Sequence, residues 1–193
     1  MSFLKITFGC MFSSKTNDLL NSIDNYITFN EINKKNINIL IINSLKDDRD
    51  LNKFKNLTTH NKYKNYKFPK YVYHINVNKL DDINLQLLEE CDYLAIDESQ
   101  FFEDLEVFVK KYLKKDKYIH CAGLLSDSDK NTFGELYKLI PVADEVLHLK
   151  AFCKECNSSN KTAVFTKWIG GEKKEKIVVG CKNKYIAVCG KHY

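Results

Sequence analysis

Proline, glycine and tryptophan are scarce in this chain of 193 residues, which contains two prolines, seven glycines and one tryptophan. A long low-complexity linker and an internal repeat are also missing. No apolar run approaches the ~20 residues of a membrane-spanning helix. The apolar N-terminus lacks the basic region and the cleavage site of a signal peptide. We therefore expect no membrane partner and a cytoplasmic location.

Charge of one sign is not in large excess, because 30 basic and 25 acidic side chains leave a net charge of +5. This small, dispersed surplus does not demand a nucleic acid as partner, and we predict none. Apolar residues make up 44% of the chain, which excludes a fully disordered protein. Without an export signal, the seven cysteines are expected to be metal ligands or buried thiols in a reducing compartment.

Short apolar runs alternate with helical patterns over most of the chain. The runs predicted to be strands are residues 3–8, 37–42, 71–75, 93–96 and 118–122. The residues predicted to form apolar helix faces are Leu19, Leu20, Ile23 and Tyr26, then Leu105, Phe108, Val109 and Tyr112. This alternation predicts an α/β domain with a mostly parallel sheet. We expect the domain to cover residues 1–150.

Beyond residue 150 the pattern changes to cysteine pairs, a Gly-Gly turn and short β-like runs at 163–169 and 176–179. These features predict a small β-rich module over residues 151–193. Within the first domain, the polar and poorly periodic stretch 47–68 is predicted to be a mobile loop.

The first predicted strand ends in a sequence typical of a phosphate-binding loop. Its residues are Gly9, Cys10, Met11, Phe12, Ser13, Ser14, Lys15 and Thr16, and a helix follows at once. In such a loop the backbone N–H groups face phosphates, Lys15 neutralises their charge, and the Thr16 hydroxyl binds Mg²⁺. Ser14 stands where the usual pattern has glycine, which costs about 1–2 kcal/mol if the position needs a positive φ. The alternative is an ordinary strand–helix junction capped by Ser13 or Ser14.

A second candidate site follows the strand at 93–96, which ends in Asp97 and Glu98. The carboxyl end of a parallel strand faces the ligand crevice, so Asp97 is placed to hold Mg²⁺ and Glu98 to act as a general base. Phe101 and Phe102 follow, with rings that suit either the core or stacking on a flat ligand. For an isolated Asp-Glu pair, the alternative is a solvated strand end that caps the next helix.

Two ligand pairs predict a metal site. Cys153 and Cys156 form a Cys-x-x-Cys pair, and Cys189 and His192 form a Cys-x-x-His pair far downstream. Together they predict a tetrahedral, structural zinc site, with two unrelated thiol pairs as the alternative. The other cysteines lack pair spacing and are interpreted as small apolar residues: Cys10, Cys91, Cys121 and Cys181.

The order of these motifs resembles the type II (cytosolic and poxvirus-like) thymidine kinases, over nearly the whole chain. The family's Gly-Pro-Met-Phe-Ser-Gly-Lys-Thr/Ser corresponds to residues 9–16, and its Asp-Glu-x-Gln-Phe-Phe to residues 97–102. The further matching segments are residues 46–49, 59–60, 122–124, 133–134, 141–145, 179–180 and 185–189.

The resemblance implies an α/β core with a phosphate-binding loop, a zinc-anchored C-terminal lasso, and commonly a homotetramer. It implies transfer of the γ-phosphate of ATP to the 5′-hydroxyl of thymidine, with Glu98 as the catalytic base and Gln100 among the ATP-binding residues. The residues implied to enclose the base and sugar are Met11, Phe101, Leu124, Phe133 and Tyr185. Those implied to offer backbone hydrogen bonds to the pyrimidine are Ile177, Val178, Val179 and Gly180.

Several positions depart from the family's pattern, namely Cys10, Ser14, Asn61, Leu125, Ser128 and Asp129. Leu125 replaces an acidic residue and Ser128 an aromatic one, both close to the implied nucleoside side. Three alternatives to an active thymidine kinase follow: a weakly active or inactive descendant retained as a nucleotide-binding or interaction protein, a kinase of another deoxynucleoside, and a zinc-ribbon protein that binds nucleic acid. Basic residues near the cysteines alternate with acidic or polar ones, which argues against the last.

Overall fold

The computed structural model describes residues 2–46, 69–171 and 184–193. Its main strands are β1 (Phe3–Gly9), β2 (Ile39–Ser44), β3 (Val72–Val77), β4 (Tyr93–Ile96), β5 (Tyr118–Gly123) and β6 (Glu145–Leu149). They form one six-stranded sheet in the order β3-β2-β4-β5-β1-β6, and every neighbouring pair is parallel. The helices are α1 (Lys15–Ile32), α2 (Leu85–Glu90) and α3 (Leu105–Leu113), with 3₁₀ segments at Leu80–Asp82, Ser99–Phe101 and Leu136–Val142.

Apolar residues cover both faces of this sheet, and β2 shows why. Ile39 and Ile41 point into a cluster that contains the apolar face of α1. Leu40 and Ile42 point the other way, into the cluster that contains the apolar face of α3. A strand buried on both faces needs an unbroken apolar run, as the sequence has here. The predicted α/β fold with a mostly parallel sheet is therefore confirmed.

The edge strand β6 is the main-sheet strand that the sequence does not predict. It pairs with β1 on one side, and much of it is exposed to solvent; Val146, for example, is 43% exposed. An exposed edge strand does not need a continuous apolar run, and Glu145 and His148 interrupt this one. Its sequence pattern is therefore too weak for prediction by periodicity.

Four short strands follow: β7 (Ala151–Phe152), β8 (Lys161–Ala163), β9 (Phe165–Trp168) and β10 (Tyr185–Val188). They form two antiparallel pairs, β7 with β8 and β9 with β10. We call residues 151–171 and 184–193 the C-terminal module. The predicted run 163–169 is divided at Val164, because β8 and β9 pair with different strands. The small buried cluster of the module includes Cys10 of the phosphate loop, so the module packs against that loop.

The mobile loop predicted at 47–68, the β-like run at 176–179 and Cys181 lie outside the described residues. Across the three described ranges, no helix combines the length and the apolar character that crossing a bilayer requires.

Candidate active site and metal centre

The loop between β1 and α1 has a backbone suited to binding an anion. Phe12 and Ser14 adopt left-handed conformations, with φ values of 66° and 70°. Left-handed residues in a loop turn successive N–H groups toward one concave side, where they can receive a phosphate. In the described part of the chain, Ser14 forms no side-chain cap hydrogen bond, and the buried Ser13 hydroxyl has no hydrogen-bond partner. These observations argue against the serine-capped junction.

The side chain of Lys15 folds back across the same loop. Lys15 is 9% exposed, and its Nζ donates to the Cys10 carbonyl at 3.0 Å. The Cys10 thiol donates to the Ala163 carbonyl at 3.4 Å. Burial raises the pKa of Cys10, although the charge of Lys15 opposes the shift. The loop therefore holds one buried positive charge beside a neutral thiol.

A hydrogen bond joins the start of α1 to the end of β4. The Thr16 hydroxyl donates to Asp97 Oδ2 at 2.9 Å, and Asp97 Oδ1 accepts the N–H of Glu98 at 2.9 Å. Asp97 is nearly buried, at 5% exposure. A hydroxyl and a carboxylate oxygen are the donors that Mg²⁺ prefers, so Thr16 and Asp97 fit this ion.

Glu98 occupies a strained backbone position, with a φ of 47° that is uncommon for a residue other than glycine. Its Oε2 accepts a hydrogen bond from Gln100 Nε2 at 2.6 Å. Gln100 Oε1 in turn accepts the N–H of Leu124 at 2.9 Å. Gln100 therefore links the carboxylate of Glu98 to the chain that leaves β5. A Cβ on Gly123 would lie 2.5 Å from Ser99 Oγ and 2.7 Å from Gln100 Oε1, so a side chain at this position would displace the Gln100 amide.

Two of the predicted nucleoside-enclosing residues meet beside this link. The rings of Phe101 and Phe133 contact edge to face, with centroids 5.6 Å apart. Gly134 follows in a left-handed conformation, with a φ of 68°, and a Cβ there would collide with the backbone of Gln100. The glycine lets the chain after Phe133 approach the 3₁₀ segment that carries Phe101.

A cavity of about 240 Å³ opens between the phosphate loop and the C-terminal module. Three groups of residues and one histidine line it: Phe8, Gly9 and Cys10; Leu124, Leu125 and Ser126; Val164, Phe165 and Thr166; and His148. Leu125, which replaces an acidic residue of the family pattern, gives this wall an apolar side chain. Most of the lining is apolar, as is usual for small-molecule pockets.

The predicted base-enclosing residues are divided between this cavity and its surroundings. Leu124 lines the cavity, whereas Phe101 and Phe133 contact each other. The N–H of Met11 donates to Thr166 Oγ1 at 3.0 Å. Tyr185 is buried and packs edge to face on Trp168, with centroids 4.9 Å apart. The other predicted residues, Ile177, Val178, Val179 and Gly180, lie outside the described residues.

Besides Leu125, six lining residues are absent from the predicted site: Phe8, Ser126, His148, Val164, Phe165 and Thr166. The rings of Phe8 and His148 stack at 4.6 Å. Burial, and then the charge of Lys150, lower the pKa of His148, so its ring is neutral at neutral pH. Neither side chain gives a sequence signal, because the contact depends on pairing of β1 with the unpredicted β6. Thr166 lies between Phe165 and Lys167 and gives no specific sequence signal.

The four predicted metal ligands converge within the C-terminal module. The Sγ atoms of Cys153, Cys156 and Cys189 and the Nδ1 of His192 all lie within 4.8 Å of one another. Cys156 Sγ is 3.6 Å from Cys189 Sγ and 3.3 Å from His192 Nδ1. Zn–S and Zn–N bonds of about 2.3 and 2.0 Å in a tetrahedron separate ligand atoms by roughly 3.5–3.8 Å. The cluster therefore fits zinc in both donor type and spacing.

Backbone hydrogen bonds favour a thiolate in this cluster. The N–H of Cys189 donates to Cys153 Sγ at 3.3 Å. Burial raises the pKa of Cys153, but hydrogen bonds from the backbone of Cys189 and Glu155 and from neighbouring side chains outweigh it and lower the pKa to about 6. Thiolates are the form of cysteine that binds zinc.

Comparison with known proteins agrees with the motif order. The family model described as thymidine kinase matches residues 2–193. A thymidine kinase of Amsacta moorei entomopoxvirus is 34% identical over 189 residues, covering 96% of this chain and 94% of that protein. A thymidine kinase of sheeppox virus is 30% identical over 191 residues, covering 99% and 96%. A cytosolic thymidine kinase of Gallus gallus is 28% identical over 186 residues, covering 96% and 74%. The sequence motifs, the sheet and these matches agree, and the chain belongs to the thymidine kinase family of enzymes.

Proposed function

We propose that the protein transfers the γ-phosphate of ATP to the 5′-hydroxyl of thymidine, giving dTMP for DNA precursor salvage. The observation that carries this proposal is the 2.9 Å hydrogen bond between Thr16 and Asp97. It joins the phosphate loop to the strand end that bears Glu98. Phosphoryl transfer depends on positioning and charge neutralisation more than on covalent chemistry, and these are what the site offers.

On the phosphate side, the backbone N–H groups of residues 9–16 are proposed to receive the β- and γ-phosphates of ATP. Lys15 lies within this loop and would exchange its contact with the Cys10 carbonyl for phosphate oxygens. Thr16 and Asp97 are proposed to hold Mg²⁺, which supplies positive charge against the phosphates. Lys15 and Asp97 are buried, so little water screens their charges.

On the acceptor side, Glu98 is proposed to take the proton of the 5′-hydroxyl. Its hydrogen bond from Gln100 orients the carboxylate. A carboxylate can accept this proton when it lies within hydrogen-bond reach of the hydroxyl group. Gln100, predicted to bind ATP, is proposed to act by holding Glu98 in place.

The base is proposed to bind near the cavity between Leu124 and the C-terminal module. Met11, Phe101, Phe133 and Tyr185 are proposed to enclose base and sugar, and residues 177–180 to provide backbone hydrogen bonds. Zinc bound by Cys153, Cys156, Cys189 and His192 is proposed to fix the two ends of the segment that carries residues 177–180.

Three further proposals rest on the family. They are a domain boundary at residue 150, a homotetramer or homodimer, and a cytoplasmic location.

A turnover assay with thymidine, ATP and Mg²⁺ tests the proposal. We expect Glu98→Gln to lower kcat by about 10²–10⁴-fold, because the amide cannot accept the proton. Glu103→Gln is the matched control, since its side chain is 90% exposed and pairs with Lys46 on the surface, and we expect its kcat to stay within about twofold of the wild type. Wild-type turnover in Glu98→Gln would exclude the proposed role of this residue.

A kinase of another deoxynucleoside is the second candidate, and the apolar Leu125 in the cavity wall favours it. A site selects a substrate by leaving the polar groups of the wrong one unpaired. A panel of thymidine, deoxyuridine and deoxycytidine decides between the two candidates. The proposal requires the highest kcat/KM for thymidine.

A further inference from the structure

The chain that leaves β5 folds back as a short hairpin, residues 124–133. Ser126 and Thr132 form an antiparallel bridge, and the N–H of Phe133 donates to the Leu125 carbonyl at 2.9 Å. Asp127 closes the turn, because its carboxylate accepts the N–H groups of residues 129 and 131 at 2.8 and 2.9 Å. A two-stranded hairpin is only marginally stable in water by itself. Contacts at its tip therefore decide how firmly it is held.

The tip of this hairpin rests on the C-terminal module. The hydroxyl of Tyr193 donates to the carbonyl of Ser128 at 2.6 Å. The ammonium of Lys130 lies 3.6 Å from the centroid of the Tyr193 ring and 4.5 Å from that of the Phe165 ring. The two rings meet edge to face, with centroids 5.5 Å apart. We call these contacts of Ser128 and Lys130 with Tyr193 and Phe165 the tip clamp.

The module side of the tip clamp is anchored at the candidate zinc site. Tyr193 directly follows His192, whose Nδ1 belongs to the ligand cluster. The carbonyl of His192 accepts a hydrogen bond from Lys167 Nζ at 3.1 Å, so this segment is tied to β9. Phe165 begins β9 itself. The hairpin, which is only marginally stable by itself, thus contacts a part of the module that lies next to the candidate metal ligands.

The tip clamp joins two walls of one cavity. Leu124, Leu125 and Ser126 form the hairpin wall, and Val164, Phe165 and Thr166 form the module wall. Phe165 belongs to both the clamp and the module wall. The distance between the walls is therefore linked to the cation–π and hydrogen-bond contacts at the tip.

We infer that Tyr193 and Lys130 are positioning residues that hold these walls together and so set the affinity for the nucleoside. This inference rests on the proposed function for the identity of the ligand. Neither residue belongs to the phosphate loop or to the carboxylate pair Asp97 and Glu98, so we expect the clamp to affect the nucleoside more than ATP binding or the chemical step.

Steady-state kinetics of three variants test the inference. We expect Lys130→Met to raise the KM for thymidine by about 3- to 10-fold, with kcat and the KM for ATP within about twofold of the wild type, because a cation–π contact is lost. Lys130→Arg keeps the charge over the rings and should restore the wild-type KM. Lys154→Met, at an exposed position of the same module, is the control and should leave both KM values unchanged.

Tyr193→Leu should raise the KM for thymidine to a similar extent, and the double variant Lys130→Met/Tyr193→Leu should be no worse than the worse single variant, since both remove the same contact. Metal analysis should find zinc retained in Lys130→Met, because Lys130 is not one of the four candidate ligands, so this variant remains informative if Tyr193→Leu loses the metal. An unchanged thymidine KM in Lys130→Met, or an equal rise in the ATP KM, would overturn the inference.

Hydrogen exchange in the absence of substrates separates this inference from the proposed function. We expect the amides of residues 126–132 to exchange about 5-fold faster in Lys130→Met than in the wild type, with β2 and β4 unchanged. Equal exchange rates would overturn the tip clamp even if thymidine is the substrate. Absence of thymidine phosphorylation by the wild type would defeat the proposed function, while exchange would still report on the clamp.

Discussion

β2 in the main sheet and β9 in the C-terminal module show two ways of holding a strand in place. All six residues of β2 are buried, and apolar clusters flank both of its faces. In β9 only Thr166 is buried. The buried residues of the neighbouring cluster are all small or medium in size: Cys10, Ala151, Cys153, Ala163, Ala187 and Val188. At about 25 cal/mol per Å² of buried apolar surface, such a cluster contributes little. The main sheet is stabilised by its own core, whereas the module has a small buried cluster and carries the four candidate metal ligands.

A buried polar network gives the sheet side a second kind of support. The hydroxyl of Thr7 donates to Asp18 Oδ2 at 2.7 Å and lies 2.8 Å from His120 Nε2. The other ring nitrogen of His120 lies 3.3 Å from the Tyr93 hydroxyl. Asp18 is in the first turn of α1, so the network fixes the helix that begins with Lys15. The phosphate loop is thus supported by burial and hydrogen bonds, whereas the C-terminal module carries the candidate metal ligands.

Removal of the metal should produce the largest difference between the two regions. Structural zinc contributes about 10–16 kcal/mol in small metal-dependent domains, so we expect a chelator or Cys156→Ser to unfold the module. Hydrogen exchange should become at least about 100-fold faster at residues 151–171 and 184–193, while β2 and β4 remain protected. Thymidine affinity should be lost in the same samples.

Cys91→Ser is the matched control for this experiment, because Cys91 is a buried cysteine outside the ligand cluster. It should retain the metal and the protection of the module. Full thymidine affinity in zinc-free protein would refute the proposed role of the metal.

Acid should act on the sheet side instead, through His120. Burial, and then the charge of Lys5, lower the pKa of His120 from 6.5 to about 3. Between these two values the unfolded state binds a proton at His120 that the folded state does not bind. The free energy of unfolding is therefore highest above pH 6.5 and decreases progressively as the pH falls toward 3. The expected slope is about 1.4 kcal/mol per pH unit.

Urea unfolding between pH 6.5 and 5 measures this slope before most carboxylates titrate. His120→Asn, which has no ionisable ring, should be less stable than the wild type at neutral pH but should show a flatter dependence. If the two proteins lose stability equally over this range, His120 does not cause the acid sensitivity.

The smallest expected effect concerns the phosphate loop itself. Ser14 adopts a φ of 70°, and Ser14→Gly should stabilise the protein by about 1 kcal/mol because glycine adopts this conformation without strain. Ser13→Gly is the matched control, because Ser13 does not have a positive φ and the change should not stabilise. Equal free energies of unfolding for the two variants would show that the backbone conformation of Ser14 is not strained.

The buried parts of the fold were accessible from the sequence for a physical reason. A strand covered on both faces, such as β2 or β4, must be a continuous apolar run, and such runs are easy to recognise. The metal ligands were equally accessible, since each pair of ligands is close in sequence. The edge strand β6 was not predicted, because a strand that is exposed to solvent does not need a continuous run of apolar residues.

Contacts between distant and chemically ordinary residues could not be predicted. The bond from Tyr193 to Ser128 ends on a backbone carbonyl, which every residue possesses. Thr166 and His148 reach the cavity only because short strands with weak patterns pair as they do. The site was therefore predictable where the chemistry demands particular residue types, and unpredictable where packing alone brings residues together.

The burial of Cys10 has a consequence for redox chemistry. If the thiol of Cys10 ionised, oxidants could modify the phosphate loop, because the thiolate is the form that reacts with oxidants. Burial raises the pKa of Cys10 and of Cys121, and it raises that of Cys91 to about 11. Hydrogen bonds lower the pKa of Cys153, a member of the candidate metal cluster. Peroxide should therefore oxidise the cysteines of the metal cluster before Cys10 of the phosphate loop.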